Sequence, residues 1–115
     1  MADGAAGVAV IRRIVKRRMI YDKSRMDART RCATVSTVTF APGFRTDIDT
    51  LGRACRERGV LLLVDAAQSA GKVHTDVQRS NIDALTVSTQ KGLLGLYGMG
   101  FLYVRREWEI GRAHV

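Results

Sequence analysis

The sequence predicts an α/β fold, three layers deep, on a mainly parallel sheet. Three observations carry that expectation. Val60–Asp65 reads VLLLVD, a continuous rather than alternating apolar run, which suits a strand buried on both faces. A β-branched run and then a helical pattern precede it, so strand, helix and strand follow one another as a right-handed βαβ unit within about 40 residues. Ala84–Ser88 (ALTVS) then offers another short buried strand.

Taken in order, the chain opens on a basic stretch. Ile11, Ile14, Val15 and Met19 recur at near-helical spacing, with Arg12, Arg13, Lys16, Arg17 and Arg18 between them. This reads as a basic surface helix or a frayed end. A membrane-surface helix, an organelle presequence or a nucleic-acid arm are the other readings of residues 8–31. CATVSTVTF (residues 32–40) is β-branched and alternates, so a strand is expected there. APGFR turns the chain, with Pro42 and Gly43 as breakers. Thr46, three residues before Asp49, is the expected N-cap of a helix. Ile48, Leu51 and Cys55 form the apolar face of that helix, and Gly59 is placed to end it in a left-handed turn. AAQSAG after Asp65 is a turn or one turn of helix, and residues 73–81 are a polar connection. The glycines of GLLGLYGMG, at 92, 95, 98 and 100, fit neither nucleotide-binding glycine pattern. MGFLYVRR reads as a fourth strand, reaching the surface at Arg105.

Composition narrows the function classes. A chain of 115 residues forms one domain at most, and 46% hydrophobic with 26% charged residues is ordinary for a globular protein. No apolar run approaches the ~20 residues of a membrane span, and no basic region precedes the apolar start as in a secretory signal. The net charge of +8 is unevenly placed. Residues 1–31 hold nine Lys/Arg against three Asp/Glu; residues 32–115 hold ten against eight. The globular part therefore makes no electrostatic case for nucleic acid, and neither nucleic acid nor membrane is expected as its partner. Cys32 and Cys55 match no metal spacing and no CxxC, so they read as free thiols in a reducing, cytoplasmic compartment.

In open α/β sheets ligands bind beyond the carboxyl ends of the strands. Asp65 and the Ser88-Thr89-Gln90-Lys91 run lie at two such ends. Taken singly, such residues read equally as a capping acid and a surface lysine; the set is what points to chemistry. At these residues the sequence resembles the class V aminotransferase family, which includes cysteine desulfurases and isopenicillin-N-epimerase-like enzymes. VDAAQSAGKVHTDV is similar to the family's VDxxQxxG segment, STQKGLLGLYGMGFLYVR to its S-x-H/Q-K segment and following strand, and TVTFAPGFRTDI to its strand-turn before the helix. The resemblance covers roughly Met26 to Arg106.

The resemblance implies pyridoxal 5'-phosphate (PLP) as cofactor and an amino acid as substrate. That chemistry needs a lysine to form an aldimine with the cofactor aldehyde and a carboxylate to keep the pyridine nitrogen protonated. It also needs a hydrogen-bonding group at the ring oxygen, and hydroxyl or amide donors for the phosphate. By the match Lys91 is the Schiff-base lysine and general base and acid, Asp65 the pyridine partner and Gln68 the ring-oxygen group, while Ser88 and Gln90 contact the phosphate. Phe40 stands where cysteine desulfurases carry asparagine, which argues for another branch. Asp83 matches a common acid before the lysine strand and reads equally as a solvated strand-start acid; His74, in the polar connection, reads as a connection residue ahead of a functional one. Family members are several times longer and pair as homodimers, so the expectation is a fragment of the large domain, inactive by itself. Residues 1–25 would be a basic segment of separate character and 26–108 the partial PLP-binding large domain. Residues 109–115 would be a non-native tail, since EIGRAHV back-translates to a run containing a common sequencing-library adapter.

Overall fold

The computed structural model describes residues 7–10, 14–15, 18–19 and 26–108, and for the first three stretches it describes strand pairing alone. Five strands form one sheet in the order β1 (Gly7–Val10), β4 (Thr30–Ser36), β5 (Leu61–Asp65), β6 (Ala84–Ser88) and β7 (Gly100–Val104). The first four are parallel, and β7 runs antiparallel to β6. Two further strands, β2 (Ile14–Val15) and β3 (Arg18–Met19), pair antiparallel in a separate ribbon.

The N-terminal stretch corrects the expectation of a basic helix. Ile14, Val15 and Met19 lie on strands, and GVAV just before them joins the main sheet beside β4. Short apolar runs carry no periodicity that separates helix from strand, and β-branched Ile and Val favour the pleated alternative once a partner strand is present. Ile11 and the proposed tail, residues 109–115, lie outside the described residues.

β4 begins at Thr30 and ends at Ser36, earlier than the alternating pattern suggested. Residues 37–46 fold back as a narrow loop instead. The Thr39 N–H donates to the Phe44 carbonyl at 2.9 Å and the Thr46 N–H to the Thr37 carbonyl at 2.8 Å, with a bridge between Val38 and Arg45. The helix α1 spans Ile48–Arg58. Its N-cap is Asp47, not Thr46: Asp47 Oδ1 accepts the Thr50 N–H at 3.1 Å and Oδ2 the Thr50 hydroxyl at 2.8 Å. Thr46 is buried, and its hydroxyl donates to the Ser36 carbonyl at 2.7 Å, which leaves the neighbouring aspartate to cap. Gly59 ends the helix with φ at 64°, as expected of a left-handed C-terminal residue.

The core lies between α1 and one face of the sheet. Ile48, Leu51, Ala54 and Cys55 meet Ala33 and Val35 of β4, Leu62 and Val64 of β5, and Leu85 and Val87 of β6. Leu51, Leu62 and Val64 are fully buried, each contributing roughly 2 kcal/mol by removal from water. The other face carries half-buried Leu61, Leu63 and Ala84, and exposed Asp65 and Thr86. The α/β, mainly parallel expectation holds; of the three expected layers, the described residues supply the sheet and one helical layer. No helix among the described residues is long and apolar enough to cross a membrane.

Candidate active site

Parallel pairing puts the carboxyl ends of β4, β5 and β6 along one edge. Ser36 pairs with Asp65, and Asp65 with Thr86, in register. Side chains alternate across a strand, so Ser36, Asp65, Thr86 and Ser88 share one face, the face away from α1. Ser88 lies two residues beyond Thr86, about 7 Å further toward the same edge. Asp65 is exposed, and its Oδ1 accepts the Ala67 N–H at 2.9 Å, which fixes one carboxylate oxygen and leaves the other toward solvent.

After Asp65 the chain makes one turn of helix. The Ser69 and Ala70 N–H groups both donate to the Ala66 carbonyl, at 3.0 and 2.8 Å. Gln68, half-buried, rides on this turn. After Ser88 the chain turns again at Thr89–Gly92 and presents half-buried Gln90 and Lys91. Thr89 anchors the long loop that follows: its hydroxyl lies 2.8 Å from the Leu96 carbonyl and 3.1 Å from that of Met99. The two turns are pressed together backbone to backbone. A Cβ on Gly92 would lie 2.2 Å from the Ala70 carbonyl oxygen, a separation real Cβ atoms do not adopt. The structure therefore brings the Gln68 turn against the Gln90–Lys91 turn, beside the strand ends that carry Asp65 and Ser88.

The larger of the two described cavities, about 350 Å³, is not this edge. It lies at the N-terminus of α1, lined by Thr37, Arg45, Asp49, His74 and Ser80 among others, and none of the five candidates lines it. Its acids are already engaged: Asp49 pairs with Arg79 at 3.1 Å and accepts from the Ser80 hydroxyl, and Asp47 caps the helix. Among the described residues no group of three or more His, Cys, Asp or Glu could hold a metal ion.

Asp83 sits at the opposite, amino end of β6, away from Ser88. Its Oδ2 accepts the Leu62 N–H at 2.8 Å, and its Oδ1 accepts the Trp108 indole N–H at 3.1 Å. Arg105 Nε lies 3.3 Å from the same oxygen as an ion pair, both side chains mostly buried. Asp83 is thus a structural clasp joining β5, β6 and the chain after β7. Cys32 and Cys55 are free thiols. Burial first, and the nearby Asp83 carboxylate second, push the Cys55 thiol up to about 11.

Does this edge suit PLP? The strongest sign is an orphan: Gln90 Oε1 is buried without a hydrogen-bond partner. A half-turn of the amide offers its N–H₂ at the same place, so the side chain can serve an anionic oxygen there. A carboxylate with a free oxygen, a hydroxyl, two amides and a lysine amine make up the donor and acceptor set that the cofactor requires.

The comparisons with known proteins decide the family. The model of the class V aminotransferases matches residues 12–110. The chain belongs to the class V aminotransferase family. Within it, the chain is 51% identical over 61 residues to the cysteine desulfurase IscS of Shewanella baltica, covering 53% of this chain and 15% of that protein. The apo structure of a cysteine desulfurase from Thermococcus onnurineus matches with a TM-score of 0.67 at 35% identity, over 70% of this chain and 20% of the other. SspA, in a structure with cysteine, matches with a TM-score of 0.69 at 32% identity, over 72% and 24%. The chain thus spans less than a quarter of the length of each of these three proteins. The expectation that Phe40 turns the chain from the desulfurases finds no support, since two of these three matches carry that name.

The five candidates stand out in the sequence, but the contacts around them do not. Thr37, just after β4, and Ser69, on the Gln68 turn, share a buried hydroxyl–hydroxyl hydrogen bond, and isolated hydroxyls carry no pattern that announces it. The small residues of AAQSAGK and the glycine after Lys91 were the available signal for two turns in close contact.

Proposed function

We propose that this chain forms the cofactor floor of a PLP-dependent enzyme acting on an amino acid. One observation carries the reading: in a class V aminotransferase sheet, the ends of adjacent parallel strands hold Asp65 and Ser88 on one face, with the Lys91 turn packed on the Gln68 turn. PLP, when bound, supplies an aldehyde for the lysine and a ring that accepts electrons from the substrate α-carbon. Lys91 Nζ would be the covalent anchor, and its free amine would take and return the proton at that carbon. Asp65 holds a proton on the pyridine nitrogen with the oxygen not engaged by Ala67. Gln68 hydrogen-bonds the ring oxygen. The Ser88 hydroxyl and the Gln90 amide donate to the phosphate.

The substrate class is an amino acid, and cysteine is the first to test, given the names of the relatives. The working enzyme is proposed to be a cytoplasmic homodimer in which residues 26–108 belong to the large domain and residues 109–115 are foreign. The remaining four-fifths of the relatives' length is needed for turnover. The test is covalent. The 115-residue chain is mixed with PLP, reduced with borohydride and mapped by mass spectrometry. The pyridoxyl mass falls on Lys91 in preference to Lys72, and the labelled fraction drops in Lys91→Ala. Equal labelling of Lys72 and Lys91 overturns the assignment.

A further inference from the structure

The ends of β4 and β5 and the Gln68 turn meet at one buried point. Thr37 and Ser69 are 6% and 0% exposed, and their hydroxyls share a short hydrogen bond. Thr37 also holds the Asp65 carbonyl twice, through its N–H at 2.9 Å and its hydroxyl at 3.3 Å. The Ser69 hydroxyl lies 3.3 Å from the Ala66 carbonyl. Two hydroxyl protons thus serve three contacts. Either Thr37 donates to Ser69 and Ser69 to the Ala66 carbonyl, or Ser69 donates to Thr37 and Thr37 to the Asp65 carbonyl. Both carbonyls are satisfied without a hydroxyl proton, Asp65 by the Thr37 N–H and Ala66 by the Ser69 and Ala70 N–H groups. The mutual bond is therefore the only side-chain hydrogen bond, among the described residues, between the exit of β4 and the turn carrying Gln68.

From this geometry we infer that Thr37 and Ser69 are positioning residues for the cofactor floor. Neither faces the exposed strand edge. Thr37 fixes the exit of Asp65 from β5, and Ser69, flanked by Gln68 and Ala70, fixes the turn whose Ala70 carbonyl meets Gly92. A displacement at Ser69 is passed in one direction to Gln68 and in the other, through Ala70 and Gly92, to Lys91. A single buried bond thus sets the spacing between the acid, the amide and the lysine. The inference rests on the PLP reading of the edge.

The test uses the 115-residue chain and three variants. Thr37→Val removes the hydroxyl at constant shape, Thr37→Ser restores it, and Lys91→Ala defines cofactor binding. Two quantities are read. The first is the apparent affinity and pH midpoint of the Lys91-dependent PLP absorbance. The second is amide hydrogen exchange without cofactor. Thr37→Val is expected to lose about tenfold in PLP affinity, to move the pH midpoint, and to speed exchange at Ala70 and Val73 about tenfold with Leu51 unchanged. Thr37→Ser returns all three to the parent values. If Thr37→Val does not fold by far-UV circular dichroism, Ser69→Ala removes the same bond from the other side and is read in the same way. A Lys91-dependent band with unchanged affinity and midpoint in the hydroxyl-less variant overturns the positioning role alone. No Lys91-dependent band in the parent chain overturns the PLP reading and this role with it. Unchanged exchange at Ala70 and Val73 overturns the mechanical link whatever the cofactor does.

Discussion

Gly71 and Gly92 stand backbone against backbone: a Cβ on Gly71 would lie 2.4 Å from the Gly92 carbonyl oxygen, and one on Gly92 would lie 2.2 Å from the oxygen of Ala70. Gly71 also has φ at 81°, so alanine there is strained by its own backbone. Gly92 carries no such conformation and isolates the packing. Gly92→Ala is expected to push the Lys91 turn off the Gln68 turn and weaken PLP labelling of Lys91 about tenfold, with a stability cost of roughly 1–3 kcal/mol. Borohydride labelling beside urea denaturation measures both. Unchanged labelling would show that the contact does not set the lysine.

Asp83 makes the opposite prediction. Its carboxylate serves the Leu62 N–H, the Trp108 indole and Arg105, all at the amino end of β6. Asp83→Ala leaves a mostly buried guanidinium and a backbone N–H without their partner, at a cost of about 3 kcal/mol in urea denaturation. The fraction of Lys91 labelled, in protein that remains folded, should not change. Loss of labelling at full stability would return Asp83 to the site.

The cap of α1 separates two adjacent residues. Asp47→Ala should cost about 1 kcal/mol, because the Thr50 N–H loses its acceptor. Thr46→Val should instead loosen the exit of β4, since the Thr46 hydroxyl donates to the Ser36 carbonyl. Hydrogen exchange resolves the pair: Asp47→Ala speeds exchange at Thr50, and Thr46→Val at residues 37–39.

Much of this was legible in the chain and some was not. VLLLVD, ALTVS and MGFLYVRR announced strands because each is too short for a typical helix and is bounded by turn residues. Gly59 announced a helix end because the left-handed conformation favours glycine. The Thr46-to-Asp47 slip was invisible, since both residues cap helices and only the buried tie to Ser36 chooses between them. GVAV at residues 7–10 became a strand only because β4 offers it an edge. The five candidate residues were readable as a set, but not the contacts around them, a buried threonine–serine bond and two glycines packed backbone to backbone.

Cys55 gives a pH dependence. Its thiol is raised from 9.0 to about 11 in the fold, so the unfolded chain loses this proton first as pH rises. Above pH 9 the native state binds more protons than the unfolded state, and stability falls between pH 9 and 11 by linkage. Below pH 9 the term is constant. Denaturation of the parent and of Cys55→Ala across that window should show the steeper fall in the parent. Parallel curves would place the thiol in a more polar setting than the core suggests.

The segment after Lys91 exposes a run of large apolar side chains. Leu94 is 91% and Tyr97 88% exposed, with Leu96, Met99, Phe101 and Leu102 also open to solvent. Apolar surface of this kind associates. The 115-residue chain should sediment above its monomer mass, and Leu94→Lys with Tyr97→Lys should return it toward the monomer. Monomeric behaviour of the unmodified chain would show the run to be harmless.

The strand order holds a last consequence. β5 and β6 are immediate neighbours, and Asp65, Gln68, Ser88, Gln90 and Lys91 all lie in one unbroken stretch of chain, Leu61 to Lys91. On the proposed assignment, every cofactor contact this chain supplies is carried by that single short stretch. A change elsewhere in the described residues then reaches the cofactor through the packing of the two turns.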